Sequence, residues 1–157
     1  MRSNSGVLET LRAEYAHCFG CGRDNPIGLC LDDFVRNGQT VTTEFTPRPE
    51  YKGFADVLHG GIVATALDEI LAWTAILVAE TMAVTAKMDL RFRSAAPADA
   101  TYRLTGTLVE RRGRRLVMRA DCRVGETIVA DADSLFVATE TVDGAALALR
   151  SDPRSGE

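Results

Sequence analysis

The sequence is poor in histidine and cysteine and has no long uninterrupted apolar run. Its 157 residues include two His and four Cys, and the irregular spacing of so few cysteines argues against a disulfide framework. The longest apolar stretch, Ile70–Ala79, is interrupted by Thr74 and falls well short of the roughly 20 residues that a membrane span needs. Residues 1–6 lack the apolar core of a secretion signal. We therefore expect a cytoplasmic protein with reduced thiols and no membrane partner.

Charge and length narrow the class of protein further. The net charge is −4, so the protein as a whole does not attract nucleic acid. Hydrophobic residues make up 46% of the chain and charged residues 25%, as in an ordinary globular protein. The length fits a single domain, which we place at residues 1–140. The periodic pattern is lost from Thr141 onward, and we expect the tail 141–157 to be partly disordered.

Periodicity and turn formers predict the elements of the first half. Residues 7–17 have the pattern of a short amphipathic helix, and residues 27–35 are typical of a strand. The Asn-Gly pair at 37–38 predicts a hairpin turn, because both residues tolerate positive φ, and the second strand follows at 40–45. Residues 61–80 form one long helix that is apolar nearly all round, as expected of a helix that other elements surround.

The second half is predicted to be all strand. Residues 84–93 alternate strictly between apolar and polar, which indicates a sheet with one packed and one polar face. Hairpins join three further strands, at 102–110, 116–124 and 127–138. This order predicts an α+β fold in which an antiparallel sheet of about six strands wraps around the long central helix. On the strand at 84–93, the residues expected to face the core are Val84, Ala86, Met88, Leu90 and Phe92.

A motif at the entrance of the long helix combines glycines with polar side chains. His59, Gly60 and Gly61 stand where the helix begins. The first N–H groups of a helix have no internal partners, and the helix dipole makes that end positive. Such an entrance can hold a carbonyl oxygen that is acquiring negative charge. Asp68 follows two turns later on the face of Gly61, too far along to cap the helix.

Two adjacent carboxylates lie inside this apolar helix. An unpaired carboxylate there is costly, so Asp68 must have a polar partner, face a cleft or face another subunit. Glu69 is rotated by about 100° from Asp68, and we expect the two carboxylates to have different tasks. The spacing alone leaves a simple salt bridge open for Asp68, and a hydrogen bond to nearby backbone open for His59.

The segment H-G-G-I-V-A-T-A-L-D at 59–68 resembles the helix motif of the hotdog-fold acyl-CoA thioesterases. The similarity is to the branch of the 4-hydroxybenzoyl-CoA thioesterase superfamily that is related to the phenylacetate-pathway thioesterases. It covers nearly all of residues 15–139 and implies a hotdog fold, with active sites at the interface of a homodimer or a dimer of dimers. Four further segments carry it: C-F-G-C-G-R-D-N-P-I-G-L, Y-K-G, V-T-A-K-M-D-L-R-F and R-R-G-R-R-L.

The resemblance also implies a reaction and the residues that perform it. An acyl-CoA would be hydrolysed to the free acid and coenzyme A, with Asp68 as general base or nucleophile. The Gly61 N–H from a partner subunit would polarise the thioester carbonyl. His59 would support the turn or the thioester end, with Gly60 beside it, and Thr85 matches a Thr or Ser that helps to place the water. No cofactor is needed, because coenzyme A is part of the substrate.

One position departs from the pattern of the family. Related enzymes often carry a polar residue such as Asn six positions before the His, where this sequence has Gly53. The subgroup that this sequence resembles also has Gly there. The departure leaves open how the water or the thioester is oriented.

Basic residues cluster around Gly113. A charge run at a hairpin is usually a solvated tip, but arginine also pairs well with phosphate. The resemblance favours this hairpin, with Gly113, Arg114 and Arg115, for the nucleotide end of coenzyme A. Arg91 and Arg93, on the polar face of their strand, are further candidates for substrate binding.

The cysteine pair Cys18-x-x-Cys21, preceded by His17, suggests a metal site. A structural zinc needs about four ligands, and no second C-x-x-C or His pair follows in the sequence. A thioredoxin-like redox site would need a βαβ setting that is not predicted here. We therefore expect no metal, with Cys18 in the packing and glycines making the turn.

Two alternatives to the hydrolase function remain open. A non-catalytic hotdog module would bind an acyl-CoA without turnover, and its affinity would hardly depend on Asp68. A hotdog dehydratase or hydratase would need an Asp/His pair placed differently, and His17 is the only other histidine. The absence of a G-x-S-x-G motif argues against a serine hydrolase.

Overall fold

A computed structural model of the chain describes residues 5–142, with side chains from residue 9 onward. Most of the predicted tail therefore lies outside the described residues. The six strands form one antiparallel sheet in the order β1-β2-β4-β5-β6-β3, and the sheet wraps around α2. The fold is the predicted hotdog fold. Its elements are α1 (Ser5–Glu14), β1 (Val35–Asn37), β2 (Thr40–Phe45), a 3-10 turn (Pro49–Tyr51), α2 (Gly60–Val78), β3 (Thr81–Phe92), β4 (Tyr102–Arg112), β5 (Arg115–Val124) and β6 (Thr127–Thr141).

The central helix α2 is the core of the molecule. Ten of its 19 residues are buried, because the sheet covers most of its surface. The helix is confirmed as predicted but ends at Val78 instead of residue 80, and Glu80 takes a left-handed φ of 53°. By length and composition α2 could cross a membrane. Its enclosure by the sheet is a sufficient reason for its apolar character.

The predicted strands of the second half are confirmed as β4, β5 and β6. Alternate residues of these strands are buried against α2, as the period of a half-buried strand requires. Tight hairpins connect them at Gly113 and Gly125, whose φ angles of 57° and 56° only glycine adopts freely. A third positive φ, at Gly38, confirms the hairpin between β1 and β2.

The strict alternation predicted for β3 is wrong at its first half. Thr85 pairs with Phe136 and Lys87 with Leu135, so Ala86 is an extra residue in a β-bulge. Paired residues share a face of the sheet, and Phe136 is buried against α2. Thr85 therefore faces the helix, whereas the sequence pattern placed it on the polar face, and Val84 is 56% exposed.

The C-terminal end of β3 is also less buried than predicted, since β3 lies at the edge of the sheet. Phe92 is 56% exposed, although the alternation placed it in the core. Met88 and Leu90, after the bulge, are partly buried and pack against the core as predicted. The edge presents twelve residues of strand without a neighbour on its outer side.

The strand predicted at 27–35 is wrong. Cys30 and Asp33 have left-handed φ angles of 54° and 52°, which no strand accommodates. The amides of Leu29 and Leu31 bond instead to carbonyls of the loop after α1. Leu29, Leu31 and Phe34 are buried as single anchors, and the regular strand β1 begins only at the end of this segment.

Gly106 on β4 lets the sheet approach α2 closely. A Cβ at this position would overlap Thr74 Oγ1 and lie 3.0 Å from the carbonyl oxygen of Ile70. The Thr74 hydroxyl cannot swing aside freely, because it donates a hydrogen bond to that same carbonyl at 2.7 Å. The close packing of β4 against α2 therefore depends on the absence of a side chain at Gly106.

We expect Gly106→Ala to lower the free energy of unfolding by about 1–3 kcal/mol, the usual cost of overpacking a core. The cost should be smaller in a Thr74→Ala background, where the overlapping oxygen is gone. Urea denaturation of the wild type, both single variants and the double variant measures this coupling. Strictly additive effects would contradict the proposed contact.

Candidate active site

His59 caps the start of α2. Its Nδ1 accepts a hydrogen bond from the N–H of Gly61 at 2.9 Å, and its carbonyl accepts from Ile62 and Val63. Because Nδ1 is an acceptor, a neutral His59 carries its proton on Nε2. The structure thus gives His59 a turn-supporting position, one of the two expected from the resemblance. It also engages the Gly61 N–H, the predicted oxyanion donor, within the same protomer.

The loop before α2 fixes the position of His59. The His59 N–H donates to the Tyr51 carbonyl at 3.0 Å, and the Gly53 N–H donates to the Val57 carbonyl at 2.7 Å. A Cβ on Gly53 would lie 3.0 Å from His59 Cα. Glycine therefore lets the loop pack closely against His59 at the position where related enzymes often carry Asn.

Asp68 and Thr85 form a hydrogen-bonded pair. The Thr85 hydroxyl donates to Asp68 Oδ1 at 2.6 Å, and the Asp68 side chain is half-buried. The contact depends on the bulge at Ala86, which turns Thr85 toward the helix. The pair leaves Asp68 Oδ2 free of any hydrogen bond to another described residue. A carboxylate held in this way can accept a proton from a water molecule.

The helix entrance and Asp68 are well separated within one protomer. Asp68 follows Gly61 by seven positions, which corresponds to about 10 Å along the helix axis. One carbonyl group cannot contact both the Gly61 N–H and the Asp68 carboxylate of the same chain. The structure therefore brings Thr85 to Asp68, but it does not bring His59, Gly60 or Gly61 to them.

An apolar cavity of about 350 Å³ opens beside the helix entrance. Phe92 packs over Gly60, so that a Cβ on the glycine would lie 3.3 Å from the Phe92 ring. The volume falls in the range of small-molecule sites. The cavity lining comprises Val57, Leu58, Gly60, Val63, Phe92, Arg93, Ser94, Ala95 and Ala96.

Arg91 and Arg93 are engaged in ion pairs. Arg91 bonds to Asp131 and Asp133 at 2.7 and 2.6 Å, and Arg93 bonds to Asp131 at 2.5 Å. Arg91 lies opposite Asp131 in the sheet, on the face that points away from α2. The hydrogen bond from Arg93 lowers the pKa of Asp131. These two candidates for substrate binding are therefore already paired, and Arg91 lies on the other face of the sheet from Thr85.

The hairpin around Gly113 packs at the C-terminal end of α2. Arg111 donates to the carbonyl of Ala79 at 2.8 Å, where a cation also complements the helix dipole. Arg114 donates to the carbonyl of Ala138 at 2.9 Å. The Arg115 side chain has no hydrogen bond or ion pair with another described residue. Of the two arginines predicted at this hairpin, Arg115 is thus the one whose guanidinium has no partner among the described residues.

The structure contains a second polar cluster that the sequence did not predict. Glu69 lies beside the thiols of Cys18 and Cys21, and it accepts a hydrogen bond from Trp73 Nε1 at 3.1 Å. Burial raises the pKa of Glu69 to about 7. A hydrogen bond from Cys21 lowers the pKa of Cys18 to about 5. The paired cysteines were visible in the sequence, but nothing in the spacing links them to a glutamate 48 residues further on.

Comparison with known proteins agrees with the fold. The architecture defines a hotdog protein. The sequence model of the Thioesterase superfamily matches residues 55–130, so this part of the chain is similar to that superfamily. The matched region runs from the helix entrance through most of the sheet. A comparison with curated proteins found no match.

Solved structures show the same fold. A thioesterase superfamily protein is 25% identical, with a TM-score of 0.67, over 78% of this chain and 60% of its own. A Streptococcus mutans UA159 protein bound to acetyl CoA is 18% identical, with a TM-score of 0.66, over 71% of this chain and 90% of its own. A hypothetical thioesterase of Streptococcus pneumoniae TIGR4 with coenzyme A is 20% identical, with a TM-score of 0.65, over 72% and 90%.

We expect His59→Ala to lower the free energy of unfolding by about 1 kcal/mol, the usual cost of losing an N-cap acceptor. His59→Asn should keep most of this stability, because asparagine is a strong N-cap residue and can accept from the Gly61 N–H. Chemical denaturation of the three proteins tests the cap. An Asn variant as unstable as the Ala variant would show that the side chain acts otherwise.

Proposed function

We propose that the protein is an acyl-CoA thioesterase that hydrolyses the thioester to the free acid and coenzyme A. The observation that carries this proposal is the half-buried Asp68, which Thr85 holds at 2.6 Å in the central helix of a thioesterase-superfamily fold. The free Oδ2 can take a proton from water while the water oxygen attacks the thioester carbonyl. The carbon–sulfur bond then breaks, and the coenzyme A thiolate receives the proton. Direct attack by the carboxylate is the alternative route.

The oxyanion donor in this proposal comes from a second subunit. The separation of about 10 Å along α2 prevents Gly61 from serving the Asp68 of its own chain. A partner's helix entrance would supply its Gly61 N–H, with His59 holding the turn and Gly60 giving room. The thioester oxygen would compete with His59 Nδ1 for this N–H, which favours a weak ground-state contact that strengthens as negative charge develops.

The edge of the sheet favours such a homodimer, alone or within a dimer of dimers. An unpaired strand of twelve residues is a ready surface for a second chain. Val84 and Phe92 expose apolar side chains on this strand, and Thr85 lies between them. Assembly through β3 would therefore bury the apolar edge and enclose the Asp68–Thr85 pair.

Coenzyme A is the proposed carrier of the acyl group. Two solved structures with the same fold contain coenzyme A or acetyl CoA, which supports a ligand of this class. We propose that the phosphates of coenzyme A bind at the hairpin around Gly113. Arg115 would be their main contact, because its side chain has no ion-pair partner among the described residues, and Arg114 and Gly113 lie beside it. Arg91 and Arg93 could contribute only by exchanging their aspartate partners. A cytoplasmic location would supply acyl-CoA, and the chemistry needs no cofactor.

One observation favours a second candidate function. The Gly61 N–H is already bonded to His59, so the entrance could bind an acyl-CoA without activating it. A non-catalytic acyl-CoA-binding module would then retain the pocket and show no turnover. The two functions differ in their dependence on Asp68.

We expect Asp68→Asn to lower kcat for acyl-CoA hydrolysis by at least about 100-fold, the lower range for loss of a general base. Asparagine keeps the size of the side chain and can still accept from Thr85, so the fold should persist. Free-thiol release from a panel of aromatic and aliphatic acyl-CoAs measures the rate. Asp99→Asn, which changes an exposed carboxylate in the loop before β4, is the matched control and should retain wild-type activity.

The outcomes of this experiment separate the candidates. Equal turnover by Asp68→Asn and the wild type would refute the assignment of Asp68. No turnover by the wild type, together with tight acyl-CoA binding, would favour the binding module.

We expect Val84→Lys to dissociate the dimer and to abolish hydrolysis, because two buried lysines would repel each other across the β3 edge. Val109→Lys is the control, since Val109 is a similarly exposed valine, at 53%, on the interior strand β4. Analytical ultracentrifugation and the thiol-release assay give the two readouts. Dissociation without loss of activity would show that one chain holds a complete site.

A further inference from the structure

We propose that Cys18, Cys21 and Glu69 form a binding site for a zinc-type divalent cation, with water as a fourth ligand. The site is separate from the Asp68–Thr85 pair and does not depend on the hydrolase activity. Its ligands would be two thiolates and one carboxylate, a set that zinc accepts. The sequence predicted no metal because a second pair of ligands was missing. The tertiary structure supplies a third ligand from α2.

The distances between the ligand atoms suit a small metal centre. One ligand atom from each of the three side chains lies within 4.8 Å of the others. Cys18 Sγ is 3.8 and 3.9 Å from the two Glu69 oxygens. Zinc bonds of about 2.3 Å to sulfur and about 2.1 Å to oxygen, at a tetrahedral angle, require an S···O distance of about 3.6 Å. Cys18 and Glu69 would therefore need to approach each other by only a few tenths of an ångström.

The loop that carries the cysteines is shaped to meet the helix. The Gly22 N–H donates to the Cys18 carbonyl at 2.9 Å and closes the turn. A Cβ on Gly20 would overlap the Glu69 carboxylate in its present position, so glycine lets the loop lie directly against it. Cys21 is 6% exposed. The three ligands are thus held in a partly closed site between the N-terminal segment and α2.

Electrostatics favour a cation at this position. Glu69 has no salt bridge with a basic side chain in the described part of the chain, and leaving a partly buried carboxylate without a counter-charge is costly. The Trp73 N–H that bonds Glu69 would orient the carboxylate as an outer-shell partner of a metal ligand. Trp73 is itself held by stacking on Phe34 at a centroid distance of 4.7 Å. A divalent cation would supply the charge that Glu69 lacks.

The ligand set also selects the metal. Thiolates favour zinc over magnesium or calcium, which prefer oxygen ligands. The free coordination position would hold water, because His17 does not belong to the cluster. Since Glu69 is rotated by about 100° from Asp68, the metal would not replace the proposed catalytic carboxylate. We therefore assign it the task of fastening the N-terminal loop to α2.

The test uses the full-length chain, reduced and stripped of metal by a chelator. Calorimetric titration with Zn²⁺ should give one strong site per chain and a rise in Tm, since a ligand that binds the native state stabilises it. Titration with Co²⁺ should produce a thiolate-to-metal charge-transfer band. These readouts are independent of acyl-CoA hydrolysis, so a failure of the proposed function would leave them unchanged.

Variants separate the site from adventitious binding. Cys18→Ser, Cys21→Ser and Glu69→Gln should each weaken Zn²⁺ binding by at least about 100-fold, more than the roughly 10- to 100-fold expected for the outer-shell variant Trp73→Phe. Cys30→Ser removes an exposed thiol outside the cluster and should bind like the wild type. Circular dichroism of each metal-free variant establishes that it is folded.

Three results would overturn the proposal. The first is a wild-type protein without a strong Zn²⁺ site, and the second is Co²⁺ binding without a charge-transfer band. The third is a Zn²⁺ affinity that Cys18→Ser and Glu69→Gln leave unchanged. Because the first two concern the wild type alone, the test does not depend on the folding of any variant.

Discussion

Enclosure of α2 by the sheet is the constraint on which the rest of the structure depends. The burial of ten helix residues supplies the main apolar core, and Gly106 allows β4 to approach the helix closely. Inside such an enclosure a polar group must find a partner. The Thr74 hydroxyl finds one in the carbonyl of Ile70, one turn back on its own helix. Carboxylates cannot be satisfied in this way, so they lie where the enclosure is incomplete.

Two such places exist on the helix, and each carries a different chemistry. Asp68 points toward the edge strand, where the bulge in β3 presents the hydroxyl of Thr85. Glu69 points toward the N-terminal loop, where Cys18 and Cys21 meet it. One residue of helix rotates these neighbours by about 100°. A proposed hydrolytic site and a proposed metal site can therefore share a helix without sharing a ligand.

Each end of α2 has a side chain that pairs with its free backbone groups. His59 accepts from an otherwise unpaired N–H at the first turn, and Arg111 donates to the Ala79 carbonyl at the other end. The helix of 19 residues spans about 28 Å, so the entrance and the arginine hairpin lie far apart. This length makes a second subunit the natural source of the oxyanion donor for Asp68, and the open edge of β3 is the natural place for it to dock.

The sequence by itself determined the long helix, the strands β4 to β6 and their hairpins, because apolar period and turn glycines act over a few neighbouring residues. It also singled out His59, Gly61 and Asp68, whereas Thr85, as a residue that helps to place the water, rested on the resemblance alone. Only the tertiary structure decided the bulge at Ala86, the irregular path of residues 27–35 and the meeting of Glu69 with the cysteine loop. These features arise from pairing and packing between segments far apart in the chain. A local pattern carries no information about which distant group will stand opposite.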